Sequence, residues 1–522
     1  MHILGLHFGH DAAASILSDG TIKSYMLRER TNRIKHALGL TRPEIDGVLN
    51  EAGLSASDIG AVAITSTQNV ELLTGLIDGL EIDLVPHDAH GIPATLIKTA
   101  DATNNRIEDL LVKAVEPTFR GNDTGFESIV YRHVFPEGAT IDWDRFDSVG
   151  WLDGYVTDDA WRDPASLEAL AQQTAELKDE LRFGFHLPVT VHLDGHEIPG
   201  YFVNHHMAHA ASCYYRSGFR RAAILTHDGF RSGTSYHGGL FAFGDGTRLW
   251  PLSPHYLAID VLYEMVAASI TLGEVGGPGK LMGLASYGKP ALFDDRFVCN
   301  EPGAKSKFGT ALTQAWLEHC AHAIRAGDYD LAAYGDTNAM TAPVNADIAA
   351  STQKLFEEIY LVSVRALNGM LQNAAIACGN LCLSGGTALN CPSNTRVAAE
   401  GPFNDVYVEP SCDDGGLSVG ASLHLHHNLM NAPVRPPEPY ASPYLGRTYA
   451  ASDIDTARQA FDVEMSSPEN PALAAATDLH EDRIVGWFEG GSETGPRAGS
   501  SIDPGECHKG RELATRERAE KA

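Results

Sequence analysis

A short apolar run, Ile3-Leu4-Gly5-Leu6-His7, reads as a buried strand. A small-residue turn carrying His10 and Asp11 follows, then a second strand from Ala12 to Leu17, an Asp19-Gly20 turn and a third strand from Thr21 to Leu27. Asp-Gly between apolar runs is a hairpin signal, because both residues tolerate the positive φ that a tight turn demands. The same syntax returns far downstream. Ala223-Ile224-Leu225-Thr226 predicts a strand, Asp228-Gly229 a turn, Ser235 to Phe243 a second strand, Asp245-Gly246 a hairpin turn, and Thr247 to Leu252 a third strand. An Asp stands near the end of each first strand. The two stretches predict a duplicated hairpin-plus-helix module with a cleft between its copies.

The remaining periodicity fills in an α/β domain. Thr41 to Gly53 opens with Thr-Arg-Pro-Glu and predicts an amphipathic helix. Ile59 to Ser66 predicts a strand, and Asp347 to Cys378 a long helix stopped by Gly379-Asn380. Leu381 to Leu383 and Asp405 to Val408 predict strands, with a Ser384-Gly385-Gly386 turn after the first and a helix over Gly415 to His427 after the second. Residues 84–200 mix Pro, Gly, aromatic and acidic positions and read as an insertion capping the cleft. The prolines of 432–439 mark a linker, dividing the chain into 1–431 and 440–522.

Composition narrows the function classes. A chain of 522 residues with 43% hydrophobic positions can build more than one core. Its net charge of −29 argues against nucleic-acid partners and anionic membranes, both of which need a basic surface. No apolar run reaches membrane-spanning length, and the first residues enter a strand rather than a signal peptide. The eight Cys lack paired zinc spacing. The expectation is a cytoplasmic protein with reduced thiols, Cys378, Cys382 and Cys391 being buried.

Candidate chemistry begins at Asn204-His205-His206-Met207-Ala208-His209. On a helix, His205 and His209 occupy i and i+4, so their imidazoles share one face. Asp228 at a strand end and Asp414 in a glycine-rich turn supply oxygen. Such a nitrogen/oxygen set suits Fe(II), Mn(II) or Zn(II) rather than Ca(II). Three glycine-rich stretches add a nucleotide reading: Gly276 to Ala285 with Lys280, Ser384 to Asn390, and Asp414 to Ala421. None has the GxxxxGK[ST] spacing of a phosphate loop.

Taken together, 5–14, 204–212, 225–229, 279–288, 383–390 and 409–421 resemble, in order and spacing, the O-carbamoyltransferases of natural-product and nodulation-factor biosynthesis. The resemblance implies a duplicated, actin-like (ASKHA) ATPase core, shared with the tRNA threonylcarbamoyl transferases. It also implies a smaller C-terminal α/β domain similar to carbamoyl-adenylate synthases. The implied reaction takes carbamoyl phosphate and ATP with Mg to carbamoyl adenylate, then moves the carbamoyl group to the hydroxyl of a small-molecule alcohol. Carried over, His205, His209, Asp228 and Asp414 would hold Fe(II) or another divalent transition metal. Lys280, Gly385, Gly386 and Asn390 would line the nucleotide site. His10 would act as general base, helped by Asp11 or Asp228.

The resemblance weakens at the C-terminus. Glu489 to Ala498 is similar to the family's Gly-Arg-Met-Glu-Phe-Gly-Pro-Arg-Ala segment, but Gly491, Ser492 and Thr494 replace its Arg, Met and Phe. Arg497 would bind carbamoyl phosphate, and the charged stretch from Glu506 departs from the pattern. Residues 440–522 therefore read as a partial carbamoyl-phosphate domain. Two alternatives stay open: a small-molecule kinase on the same superfold, and a metal- and nucleotide-binding protein inactive in the first step.

Overall fold

The computed structural model describes residues 1–37, 39–66, 77–84, 186–228, 239–255, 259–273, 276–298, 309–373, 376–434, 442–461, 464–487 and 491–495. Most of the expected insertion, the end of the proline linker, Arg497 and the charged C-terminal stretch lie outside them.

The described strands are β1 (His2–His7), β2 (Ala13–Ser18), β3 (Thr21–Leu27), β4 (Ile59–Thr65), β5 (Leu80–Leu84), β6 (His186–Leu193), β7 (His196–Val203), β8 (Arg221–His227), β9 (Gly239–Asp245), β10 (Arg248–His255), β11 (Asn380–Ser384) and β12 (Asp405–Val408). They form two sheets, ordered β3-β2-β1-β4-β7-β6-β5 and β10-β9-β8-β11-β12. In each, a three-stranded antiparallel meander is extended by two parallel strands, β4 then β7 in the first and β11 then β12 in the second. The shared order is the duplicated, actin-like α/β core that the sequence implies.

Residues 186–200 correct one boundary. Expected within the insertion, they form β6 and most of β7, and β7 pairs in parallel with β4 in the heart of the first sheet. Pro199 and Gly200 resemble a turn, but a Cβ on Gly200 would lie 2.8 Å from Val191 and 2.9 Å from Val189. The glycine is there to admit the valines of the neighbouring strand.

Alternation along the strands builds three cores. Leu4 and Leu6 face outward with the Arg42–Ala52 helix, while Ile3 faces inward. In the second sheet Ala223, Leu225, Leu381 and Leu383 face the long Pro343–Asn373 helix, whereas Ala222, Ile224 and Cys382 face inward. Between the sheets lie the His205–Arg216 helix and the Leu417–Leu423 helix, the latter continuing as a π-helical turn over His424–Leu429. They approach closely because position 420 is glycine: a Cβ there would sit 2.0 Å from the Ala208 carbonyl oxygen.

Local signals act as read for the Arg42–Ala52 helix, where Thr41 and Glu44 form a reciprocal capping box and Gly53 closes the end at φ 67°. Elsewhere the structure departs from the pattern. The expected glycine loop at 276–285 is a helix over Gly277–Ala285, started by Pro278 and buried along Leu281 and Leu284. Cys391, expected inside, is exposed as the first residue of the Cys391–Glu400 helix, whose buried face is Ser393 and Val397. Among the described residues, no helix is long and apolar enough to cross a membrane.

Beyond the linker, the Ala451–Phe461 and Pro471–His480 helices bury no residue. The flanking segments instead pair with each other and dock on the main body. Gly446 N–H donates to the Ser492 carbonyl (2.8 Å) and Thr494 N–H to that of Pro443 (2.7 Å). Arg216 Nη2 donates to the Ser442 carbonyl (3.0 Å) and Arg30 Nη2 to that of Gly495 (2.8 Å).

Candidate metal centre

β7 leads directly into the His205–Arg216 helix. Asn204 caps it, its Oδ1 accepting the Met207 N–H at 3.1 Å. The cap fixes the first turn and presents His205 and His209 on one face, ring centroids 4.7 Å apart. Asp228 immediately follows β8, and Asp414 opens a 3₁₀ turn after β12 that leads into the Leu417–Leu423 helix. One ligand atom from each of His205, His209, Asp228 and Asp414 lies within 4.8 Å of all the others. The four come from both halves of the core and meet between the sheets.

Asp228 Oδ2 lies 2.9 Å from His205 Nε2 and 3.0 Å from His209 Nε2. Asp414 Oδ1 lies 3.2 Å from His209 Nε2 and 3.5 Å from His205 Nε2. His205 Nδ1 lies 3.0 Å from the Ser66 carbonyl oxygen, an acceptor, so Nδ1 carries a proton. In the neutral ring, Nε2 is then a lone pair facing two carboxylates. That arrangement is repulsive unless a proton or a cation sits among the oxygens. The donor set thus fits a divalent transition metal, with Ser66 orienting one imidazole as outer carbonyls do for metal-bound His.

Electrostatics agree. Burial draws the His209 proton affinity down, but hydrogen bonds to Asp228 and Asp414 overcome this and raise its pKa to about 9. Burial pushes Asp228 up, and the two imidazoles more than reverse it, holding the carboxyl well below its ordinary range. Asp413, half-buried near Asp11 and Asp414, is pushed well above the usual carboxylate range, first by loss of solvent and then by those charges.

The glycine turn after β11 closes one side. Gly385 has φ 89°, and a Cβ on it would lie 2.1 Å from the His227 carbonyl oxygen. Gly386 N–H points at Asp228 Oδ1 (3.3 Å), and a Cβ there would lie 2.9 Å from the same oxygen. These glycines seat the backbone against a ligand-bearing strand end.

His10 and Asp11 complete the group from the β1–β2 turn. His10 Nδ1 lies 2.9 Å from Asp11 Oδ2, and its Nε2 lies 3.4 Å from Asp414 Oδ2. Burial opposes its charging, but Asp414 and Asp11, with a smaller contribution from Asp228, raise its pKa to about 10. Its side chain stays 49% exposed, within reach of a ligand.

Two expected nucleotide contacts also make contacts within the protein. The Asn390 amide is occupied: Nδ2 donates to Gln353 Oε1 (2.9 Å), and Oδ1 accepts from Gln353 Nε2 (2.9 Å) and the Ser393 N–H (3.1 Å), capping the Cys391–Glu400 helix. Lys280 is exposed, with Nζ 3.5 Å from the Leu272 carbonyl. Sequence reasoning missed Ser66, His7 and His36. His7 Nε2 donates to the His10 carbonyl (2.8 Å), and burial drops its pKa to about 4, so it holds the turn as a neutral ring. His36 reaches Asp11, and only the nearby basic residues Arg33 and Lys35 distinguish it in the sequence.

Residues 189–423 match the family model described as the carbamoyltransferase N-terminus. The chain is 26% identical to the uncharacterized protein sll1178 of Synechocystis sp. over 523 aligned positions, covering 95% of this chain and 69% of that one. It is 26% identical to nodulation protein NolNO of Sinorhizobium fredii, covering 94% of this chain and 57% of that one. The 3'-hydroxymethylcephem-O-carbamoyltransferase of Streptomyces clavuligerus is 30% identical over 42% of this chain and 37% of its own length. The chain thus spans between about a third and about two thirds of the length of these relatives.

Proposed function

Because residues 189–423 match the family model of the carbamoyltransferase N-terminus, we propose that the protein moves a carbamoyl group onto the hydroxyl of a small-molecule natural product. The donor is carbamoyl adenylate: carbamoyl phosphate is hydrolysed to carbamate and phosphate, and the carbamate oxygen bonds to the α-phosphorus of ATP as pyrophosphate leaves. The observation that carries this reading is the meeting of His205, His209, Asp228 and Asp414 beside His10, the Nε2 of which is 3.4 Å from Asp414 Oδ2.

The four ligands would hold a divalent transition metal, which when bound supplies Lewis-acid stabilisation of charge on the donor carbonyl oxygen. The chain's own residues account for the proton. Asp11 accepts the His10 Nδ1–H and fixes the tautomer, leaving Nε2 as the basic atom. The acceptor oxygen forms its bond to the carbamoyl carbon as its proton passes to His10 Nε2. The bond from that carbon to the phosphate oxygen breaks, and AMP leaves with the electron pair. Gly385 and Gly386 keep side chains away from the nucleotide, and Lys280 and Arg497 supply positive charge for phosphate groups. With Asp414 and Asp228 engaged as metal ligands, the pull of these two carboxylates on the His10 proton would weaken, which would favour the neutral, proton-accepting ring.

The test is carbamoyl-phosphate-dependent exchange of labelled pyrophosphate into ATP, with detection of carbamoyl adenylate by mass spectrometry. Fe(II), Mn(II) and Zn(II) are supplied in turn. Metal-loaded, folded protein that forms no adenylate and does not turn over supplied carbamoyl adenylate would end the proposal. Accumulation of ADP in place of AMP would mark a kinase.

A further inference from the structure

The β1–β2 turn is held by a loop that the proposed reaction does not use. His36 Nδ1 lies 3.1 Å from Asp11 Oδ1 and 3.0 Å from Asp11 Oδ2, bridging both oxygens of the carboxylate that orients His10. Asp11 is 5% exposed and takes φ 56°, a left-handed conformation uncommon outside glycine and most often met at Asn, Asp or His. A carboxylate held by one imidazole keeps rotation about its Cβ–Cγ bond, a soft two-fold torsion. A second donor shared between both oxygens removes that freedom.

The backbone around His36 is fixed as well. Ala12 N–H donates to the Ala37 carbonyl (3.1 Å), and Gly39 N–H is shared between the Phe8 and Gly9 carbonyls (3.1 Å each). The His36 N–H donates to Glu29 Oε2 (3.2 Å), and Glu29 Oε1 accepts from Arg30 Nη1 (2.8 Å). Arg30 Nη2 in turn holds the Gly495 carbonyl. A connected set of bonds therefore runs from the segment after the linker, through Glu29 and His36, to Asp11 and His10.

We infer that His36 is a positioning residue: it locks the Asp11 carboxylate so that His10 keeps Nδ1 protonated and Nε2 directed toward the metal centre. This rests on the reading of His10 as the proton acceptor. It adds a residue that touches neither the metal ligands nor the reacting atoms. His36 is the third member of a His-Asp-His series, as orienting groups serve other imidazole bases.

The test compares His36→Ala with His36→Asn, whose amide N–H can replace the Nδ1–H donor. In H36A, kcat falls about tenfold, the typical scale for losing an outer hydrogen-bond partner. KM for carbamoyl phosphate and ATP and the metal content stay at wild-type values. H36N recovers most of the rate. Crystal structures give a readout independent of activity: in H36A the Asp11 carboxylate rotates and the His10 ring leaves its place beside Asp414, and in H36N both return. Wild-type kcat in H36A, equal losses in the two variants, or an unmoved Asp11–His10 pair in the H36A crystal would overturn the inference. Should the wild type transfer no carbamoyl group, the functional reading falls, and the crystal comparison alone decides the positioning role.

Discussion

His205 Nδ1 donates to the Ser66 carbonyl across 3.0 Å, and this bond determines what Nε2 offers to Asp228 2.9 Å away. With Nδ1 committed, Nε2 presents the lone pair that a metal ligand requires. Purified protein is therefore expected to carry about one equivalent of a divalent transition metal, measured by inductively coupled plasma mass spectrometry. H205A, H209A and D228A lose it, and H10A, which removes no ligand, keeps it. Binding to the folded state alone stabilises by about 4 kcal/mol at a thousandfold excess over Kd. Added metal should therefore raise the wild-type melting temperature and leave H209A unchanged. Equal metal content in wild type and H209A would show that the cluster binds no ion.

The two glycines after β11 separate stability from site geometry. G385A demands a left-handed backbone of a residue that resists it, and its Cβ meets the His227 carbonyl oxygen. It should cost about 1–3 kcal/mol or more, read from urea denaturation. Gly386 has ordinary space except at Asp228 Oδ1, 2.9 Å from an added Cβ. G386A should therefore weaken metal binding more than folding. If G386A binds metal as wild type does, Asp228 does not depend on that turn for its place.

Sequence pattern reached the strands and the clustered His and Asp side chains because each announces itself locally. Short apolar runs broken by Asp19-Gly20 and Asp245-Gly246 predict both meanders. His205 and His209 share a helix face by spacing alone. What pattern misses depends on contacts distant along the chain. Pro199 and Gly200 fall within the expected insertion until Val189 and Val191 are seen to fill the space a side chain at 200 would need. Asn390 beside two glycines looks like a ligand contact until Gln353, on another helix, takes both ends of its amide. His36 meets Asp11 across two loops, a pairing that no spacing rule connects.

Part of the acid sensitivity should arise away from the His205–Asp414 cluster, in addition to that from His7. Burial lowers His427 from 6.5 to about 4, and its neutral ring donates Nδ1–H to the Ala432 carbonyl at 2.9 Å. The unfolded chain takes up this proton near pH 6.5, whereas the folded one refuses it until about 4. Its contribution is thus present above 6.5, is lost as pH falls through that window, and levels off below about 4. The loss amounts to about 3 kcal/mol. H427F keeps a ring against Tyr215, now 4.7 Å away by centroid, and removes the titration. Its denaturation free energy should fall less steeply between pH 6.5 and 4 than that of the wild type. Parallel slopes would assign the acid limb to other groups.

Arg216 and Glu409 form a buried pair at the far end of the helix that starts with His205. Their side chains are 7% and 3% exposed, and Arg216 Nε is 2.9 Å from the carboxylate. Tyr407 donates its hydroxyl to Glu409 Oε2 at 2.7 Å, and Arg216 also holds the Ser442 carbonyl. Removing one partner leaves a buried charge without its counterion, so R216M should cost about 3 kcal/mol. R216M/E409L should cost less than the sum of the single changes, because the second removes the charge stranded by the first. Both variants containing R216M also release the anchor on Ser442, so limited proteolysis near 442–448 should quicken while metal content holds. Strictly additive losses with unchanged proteolysis would show that the pair neither couples energetically nor secures the segment after the linker.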